Sequence, residues 1–350
     1  MHLSGRRFLR RGAIALALAI VCGGAAYSLA PADPIAPPLL TGPTPIEVEA
    51  RPIAAFDLRD RARTRFGELE YRGGVVLTSP FKGFGGLSAL RLDPAGERFL
   101  ALSDKGFWFT GRLTYKGREL SGLAGVEVAP MRGPDGRPLA ARGWYDTESI
   151  ARSGDTVYVG IERVNQIVRF DFGKGGVNAP GQPIPVPPAL RKLPYNGGIE
   201  AMILAPKTSK LAGALIALSE RGHDSAGNHL AFILNGPSQG QFTVVRSDKY
   251  DISGATLMPN GEILLLERKF SLLGGAGIRI RRIPLSAVAA GAVVDGPVIF
   301  EADFGYEIDN FEGIDTHRTP EGETVVTLIS DNNFSMLQRT LLLQFTLTAP

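Results

Sequence analysis

Cysteine is almost missing from this 350-residue sequence: Cys22 is the one occurrence. That excludes a disulfide framework and any multi-cysteine zinc or iron–sulfur site. Several catalytic signatures are missing as well. There is no Gly-x-Ser-x-Gly elbow, no P-loop, no dinucleotide fingerprint at a strand–helix junction and no His-Glu-x-x-His. Sustained helical periodicity is scarce. Disorder is excluded by a hydrophobic content of 44% and a charged content of 21%.

A basic partner surface is missing too, although the formal net charge is +3. Residues 1–30 carry Arg6, Arg7, Arg10 and Arg11 and no acid, followed by an apolar run from Ala13 to about Ala26 and small residues after it. This layout is that of an export signal, by the general or the twin-arginine route, or of a membrane anchor where it is not cleaved. Without it 34 basic residues face 35 acidic ones, a net charge of −1. Nucleic acid is therefore not an expected partner. The remainder is expected outside the cytoplasm, periplasmic or secreted. Six prolines in residues 31–45 read as an extended spacer, which leaves 46–350 as one folded domain.

What is present is repetition. Short β-type runs are broken by Gly, Pro, Asn and Asp throughout. Five segments share one order of features, a polar residue, a short strand, a turn, then an apolar strand ending in an acid: 85–105, 146–163, 197–221, 251–268 and 310–332. Aligning Ser88, Glu148, Glu200, Ser253 and Glu312 gives steps of 60, 52, 53 and 59 residues. That period fits a four-stranded antiparallel blade. The expected fold is all-β, a β-propeller of five blades. A sixth drawn from 46–70 and a non-closing sandwich are the alternatives. The last repeat lacks an outer strand, which Glu68–Leu77 is expected to supply, so that the chain ends close the ring.

A propeller brings the start of each first strand and the end of each second strand to one mouth. The first set holds Glu148, Glu200 and Glu312, the candidate catalytic carboxylates. The second holds Asp104, Glu162, Glu220, Glu267 and Asp331, each a candidate ligand for a hard cation such as calcium. Beside them Lys105, Arg163, Arg221 and Arg268 suit a phosphate or carboxylate ligand. The same residues read equally as blade-to-blade ion pairs. His223, in a loop with Asp224 and His229, is a candidate general acid or metal ligand at that mouth. His317 faces the channel or a neighbouring blade, and Asn332 and Asn333 break the acid–base pattern.

The segment GGLSALRLDPAGERFLALSDKG, with Asp146-Thr-Glu-Ser-Ile150, Gly198-Ile-Glu-Ala201, Leu218-Ser-Glu-Arg221 and Asn310-Phe-Glu-Gly-Ile-Asp315, resembles the phytase-like proteins described by "esterase-like activity of phytase". The resemblance spans about 70–347. It implies an exported bacterial propeller that hydrolyses phosphate esters. It assigns no catalytic residue beyond the repeat acids. The Asp-Asp-Pro-Ala segment of calcium-dependent propeller phytases has only a partial echo in Asp93-Pro94-Ala95. A non-catalytic envelope propeller that binds a ligand, and a metal-dependent lactonase or esterase, are the competing readings.

Overall fold

The computed structural model describes residues 40–271 and 275–348. The basic and apolar N-terminal segment, with Cys22, and most of the proline-rich stretch lie outside the described residues. No helix among the described residues is long and apolar enough to cross a membrane.

The alternating runs form five sheets, one per repeat. Blade 1 is Leu87–Leu92, Arg98–Ser103, Phe107–Lys116 and Glu119–Pro130, with Thr44–Pro45 added at its rim. Blade 2 is Thr147–Ser153, Thr156–Ile161, Gln166–Asp171 and Gln182–Pro183. Blade 3 is Ile199–Leu204, Leu215–His223, His229–Ile233 and Gly240–Val244, with Val293–Val294 parallel to its last strand. Blade 4 is Asp251–Leu257, Glu262–Ser271, Gly275–Pro284 and Val298–Asp303. Blade 5 is Asn310–Arg318, Thr324–Asp331 and Thr340–Leu347, and its fourth strand is Leu69–Thr78. The expected exchange therefore occurs: Leu69–Thr78 pairs antiparallel with Thr340–Leu347, so the start and end of the domain share one sheet. The segment proposed for a sixth blade instead extends the fifth, through Glu49–Pro52 and Arg65–Phe66. The five innermost strands neighbour one another in chain order, and the fifth returns to the first.

A two-faced sheet must bury both faces, and five apolar clusters fill the five spaces between blades. Trp108, Val159 and Phe170 belong to the cluster between blades 1 and 2. Phe56, Phe300, Phe311 and Phe345 belong to that between blades 4 and 5. Each such side chain contributes roughly 1.5–3 kcal/mol on burial, so every blade depends on two neighbours. A sandwich would leave no reason for five equivalent seams.

The central channel is blocked below one mouth. Arg91, on the innermost strand of blade 1, donates to the carbonyls of Leu90 at 2.7 Å and Ile314 at 3.0 Å through one terminal nitrogen. The other donates to Met202 at 2.9 Å and Ala255 at 3.0 Å. One guanidinium thus ties the inner strands of blades 1, 3, 4 and 5. Burial disfavours its charge, and Asp315 beside it opposes that. The same carboxylate accepts from the Leu92 amide at 2.6 Å and from Thr256 Oγ1 at 2.7 Å. Above Arg91 lies the mouth, called here the cup.

Candidate functional site

Each first strand slips its register against the second at one position, and it is the same position in all five blades. Leu87 pairs with Ser103 and Ala89 with Leu102, so Ser88 is the extra residue of a β-bulge. By the same count the extra residues of the other blades are Glu148, Glu200, Ser253 and Glu312. These are the five residues that the repeat aligns. A bulge re-aims its extra residue out of the pleat, and here that turns three glutamates toward the cup.

The pairing also aligns the second strands. Ser103, Ile161, Ser219, Glu267 and Ser330 stand at one level. The next residues, Asp104, Glu162, Glu220, Arg268 and Asp331, stand at the mouth. The acid–base dipeptide of blade 4 is therefore offset by one residue. Arg268 occupies the place that an acid holds in the other four blades. Glu267 does not reach the cup, contrary to its expected place among the metal ligands. It is fully buried and accepts from Arg279 Nε at 2.6 Å and from Arg281 Nε at 2.8 Å and Nη2 at 2.6 Å.

Arg268 reaches across the cup. It donates to Asn310 Oδ1 at 2.5 Å, to Glu312, and to Glu200 and Glu220 at 3.2 Å each. Glu162 accepts from the amides of Gly197 and Gly198, the latter at 2.9 Å. Oxygens of Glu162, Glu200 and Glu220 lie within 4.8 Å of one another, so this acidic group could bind a metal ion. Asp331 accepts from the Asn333 amide at 2.6 Å. Three carboxylate oxygens in the cup, Asp104 Oδ1, Glu200 Oε2 and Glu312 Oε2, are buried without a hydrogen-bond partner.

The remaining cations line the rim. Lys105 Nζ stands 3.6 Å from Asp104 Oδ2 and 5.0 Å from the centre of the Phe334 ring. Arg163 pairs with Asp146 at 3.3 Å, with Tyr145 and Tyr195 against its guanidinium at 4.1 and 5.0 Å. Arg221 is exposed and pairs with Glu220 at 3.3 Å. Asn332 holds the rim loop, accepting from the amides of Gly86 and Phe334 at 3.1 Å each.

Crowding like charges away from water makes the carboxyls retain protons. Burial pushes Glu162 up to about 7, against the pull of the two glycine amides. Burial likewise pushes Asp104 and Asp331 up to about 7, each raised further by acidic neighbours. Glu312 rises to about 8 through burial, although Arg268 opposes the shift. Glu200 is held well above the carboxylate range by burial and by Glu220. Glu148 is raised by burial, then by Glu312, Glu200, Glu162 and Asp146. It is surrounded by protein, yet its side chain remains partly open to solvent.

His223 stands apart from the carboxylates. Its ring lies 5.0 Å from that of His229, beside Asp251 and Arg246. His317 packs against Gly96 of blade 1 rather than in the cup. Two cup residues were not singled out from the sequence, Asp146 and Asn310. Both sit two residues before a bulge glutamate. Asp146 adopts a left-handed backbone, with φ of 65°, its amide donating to the Asp104 carbonyl at 2.6 Å. A non-glycine residue held there is strained.

The sequence model of the phytase-like family, described by the words "esterase-like activity of phytase", matches residues 82–334. The chain belongs to the phytase-like family. That match takes in all five repeats and every carboxylate of the cup. No curated protein matches the phytase-like chain. Among solved structures it is similar to the Cps50 (Swd1) β-propeller domain of Myceliophteria thermophila, with 10% identity, a TM-score of 0.34, and 70% of this chain and 66% of that one covered. It is similar to a Myxococcus xanthus glutaminyl cyclase, with 11% identity, a TM-score of 0.34, and 87% and 100% covered. It is also similar to a bifunctional GH43-CE protein of Bacteroides eggerthii, with 11% identity and a TM-score of 0.43, over 74% of this chain and 33% of that one. The phytase-like chain thus spans a third of that protein and about two thirds of the Cps50 chain. At these identities and TM-scores the likenesses say nothing of chemistry.

Proposed function

We propose that the cup binds calcium together with the phosphate of an ester, and that the protein hydrolyses phosphate esters outside the cytoplasm. The observation that carries this reading is the set of buried, partnerless oxygens on Asp104, Glu200 and Glu312. Buried polar atoms are normally satisfied, and an oxygen-only donor set of this density suits a hard cation. Glu162, Glu200 and Glu220 would hold it, with Glu312 and Asp104 alongside. A calcium ion bound there would supply Lewis acidity at a phosphoryl oxygen.

The chain's own groups divide the remaining work. Lys105, Arg163 and Arg221 draw an anionic ester to the rim and orient it. Arg91 crosses the floor of the cup between the inner strands, which favours entry and exit of the ester by one mouth. Glu148 stays partly open to solvent, so a water molecule in the cup can reach its carboxyl. It is assigned as the general base, acting on a water molecule in the cup. The export reading rests on the charge and hydropathy of residues 1–30, and cell fractionation tests it.

The family's description by esterase-like activity favours a second reading, in which carboxylic esters or lactones are the substrates. One screen separates the two: phosphate esters and lactones, with calcium and with chelator. Calcium-dependent phosphate release, lost in Glu148→Gln, is expected. Lactone turnover alone selects the second reading, and no turnover at all leaves a binding propeller and refutes both.

A further inference from the structure

Two histidines that the hydrolytic reading does not use face each other in blade 3. His223 ends the strand Leu215–His223 and pairs across the sheet with His229. Asp251, the first residue of blade 4's innermost strand, completes a group: one donor atom from each of the three lies within 4.8 Å of the others. A second observation makes this more than proximity. His229 is fully buried, and neither of its ring nitrogens has a hydrogen-bond partner. A neutral imidazole carries one N–H and one lone pair, and an interior that satisfies neither is unfavourable. One nitrogen looks toward the Glu220 carbonyl without reaching hydrogen-bond geometry. A metal-binding histidine characteristically turns its second nitrogen toward such a carbonyl.

We propose that His223, His229 and Asp251 form a second metal site, one that takes a zinc-class divalent ion. Zinc ligands at about 2.0–2.1 Å from the metal stand roughly 3.4 Å apart in a tetrahedron, so the three donors need only small side-chain rotations. Asp251 Oδ1 accepts from Arg246 Nε at 2.6 Å, which fixes the carboxylate and leaves its second oxygen for the ion. His223 is exposed, so solvent reaches the group from its side. Arg246 also sets the selectivity. Its positive charge opposes a cation held by charge alone, so the site favours an ion that bonds imidazole nitrogen over a hard one such as calcium. The site is thus separate in chemistry from the oxygen-only cup and does not depend on the ester reading.

The test is a calorimetric titration of the chelator-stripped full chain with zinc chloride, in excess calcium chloride to saturate oxygen-only sites. One zinc equivalent is expected. His223→Ala alters an exposed side chain and Asp251→Asn keeps its volume, and each is expected to weaken zinc binding at least tenfold while circular dichroism stays unchanged. Cobalt(II) in place of zinc is expected to give visible absorption bands of imidazole ligation that His223→Ala lacks. The proposal is overturned if no zinc binds in calcium, or if His223→Ala binds zinc as the parent does.

Discussion

The acidic cup makes stability depend on pH in an unusual direction, and Glu162 shows the size of the effect. Its carboxyl moves from 4.5 to about 7 on folding, first because it is buried. At about 1.4 kcal/mol per pH unit, the ionised form costs about 3 kcal/mol more in the folded chain than in the unfolded one. Between those two values the folded protein binds the extra proton. Stability is therefore fully present below about pH 4.5 and is lost as the pH rises through 7. Asp104, Asp331 and Glu312 are raised as well and act with the same sign. The perturbation is a change from pH 5 to pH 8 in chelator, read by thermal unfolding. A carboxyl of this kind is expected to lower Tm by about 5 °C in a protein of this size. Calcium at about 100-fold over its Kd adds about 2.7 kcal/mol. Because it competes with protons for the same oxygens, it is expected to restore Tm at pH 8 and to do little at pH 5. A Tm in chelator that stays level or rises from pH 5 to 8 would refute the reasoning, since the carboxyls would then be ionised without strain. A calcium effect as large at pH 5 as at pH 8 would place the ion elsewhere.

Three substitutions probe the arrangement further. Glu267→Ala leaves two buried guanidiniums whose only remaining ion-pair partners, Asp248 and Asp295, are exposed. It is expected to cost about 3–5 kcal/mol in chemical denaturation while leaving calcium stoichiometry intact. Arg268→Met removes the cation that competes for Glu200, Glu220 and Glu312, so calorimetry is expected to show calcium bound about tenfold more tightly, with the metal-free protein less stable at pH 8. Gly254→Ala would place a Cβ 2.3 Å from the Glu312 carbonyl oxygen. The inner strands of blades 4 and 5 must then part, which is expected to cost about 1–3 kcal/mol and to reduce calcium affinity at the displaced Glu312.

Features that repeat along the chain were legible, and features set by register were not. Five copies of one strand pattern are enough to read a propeller, and a missing outer strand in the last copy points to Leu69–Thr78. The convergence of Glu148, Glu200 and Glu312 with the second-strand acids follows from blade geometry alone. The offset in blade 4 does not. The acid–base dipeptide Glu267-Arg268 matches Glu220-Arg221 by residue type, but the pairing sets Glu267 level with Ser103, Ser219 and Ser330. Alignment on the Leu-Ser-Asp, Leu-Ser-Glu and Ile-Ser-Asp triplets of the other blades would have put Arg268 opposite the acids. Nothing local marks Arg91 as the floor of the cup, because its four carbonyl partners come from four different blades. The separation of His223 from the carboxylates likewise depends on how blade 3 pairs internally and on where Asp251 begins the next blade.

The offset gives a near-symmetric ring an asymmetric site. An acid in place of Arg268 would add a fifth buried carboxylate to its level of the mouth, with no internal counterion. Arg268 instead neutralises the side formed by blades 3 to 5, binding Glu200, Glu220 and Glu312. Its pull is felt at Glu200 and Glu312, whose shifts it opposes. Glu148 has no such relief, since each charge that dominates its surroundings is another carboxylate. An added cation gains most where acids outnumber cations, beside Glu162, which Arg268 does not reach and whose carboxylate lies within 4.8 Å of those of Glu200 and Glu220. The rim cations Lys105 and Arg163 are held by aromatic rings beside Asp104 and Asp146 rather than across the cup. On the proposed reading, an ion held by Glu162, Glu200 and Glu220 would leave Lys105 and Arg163 at the rim to orient an anionic ester.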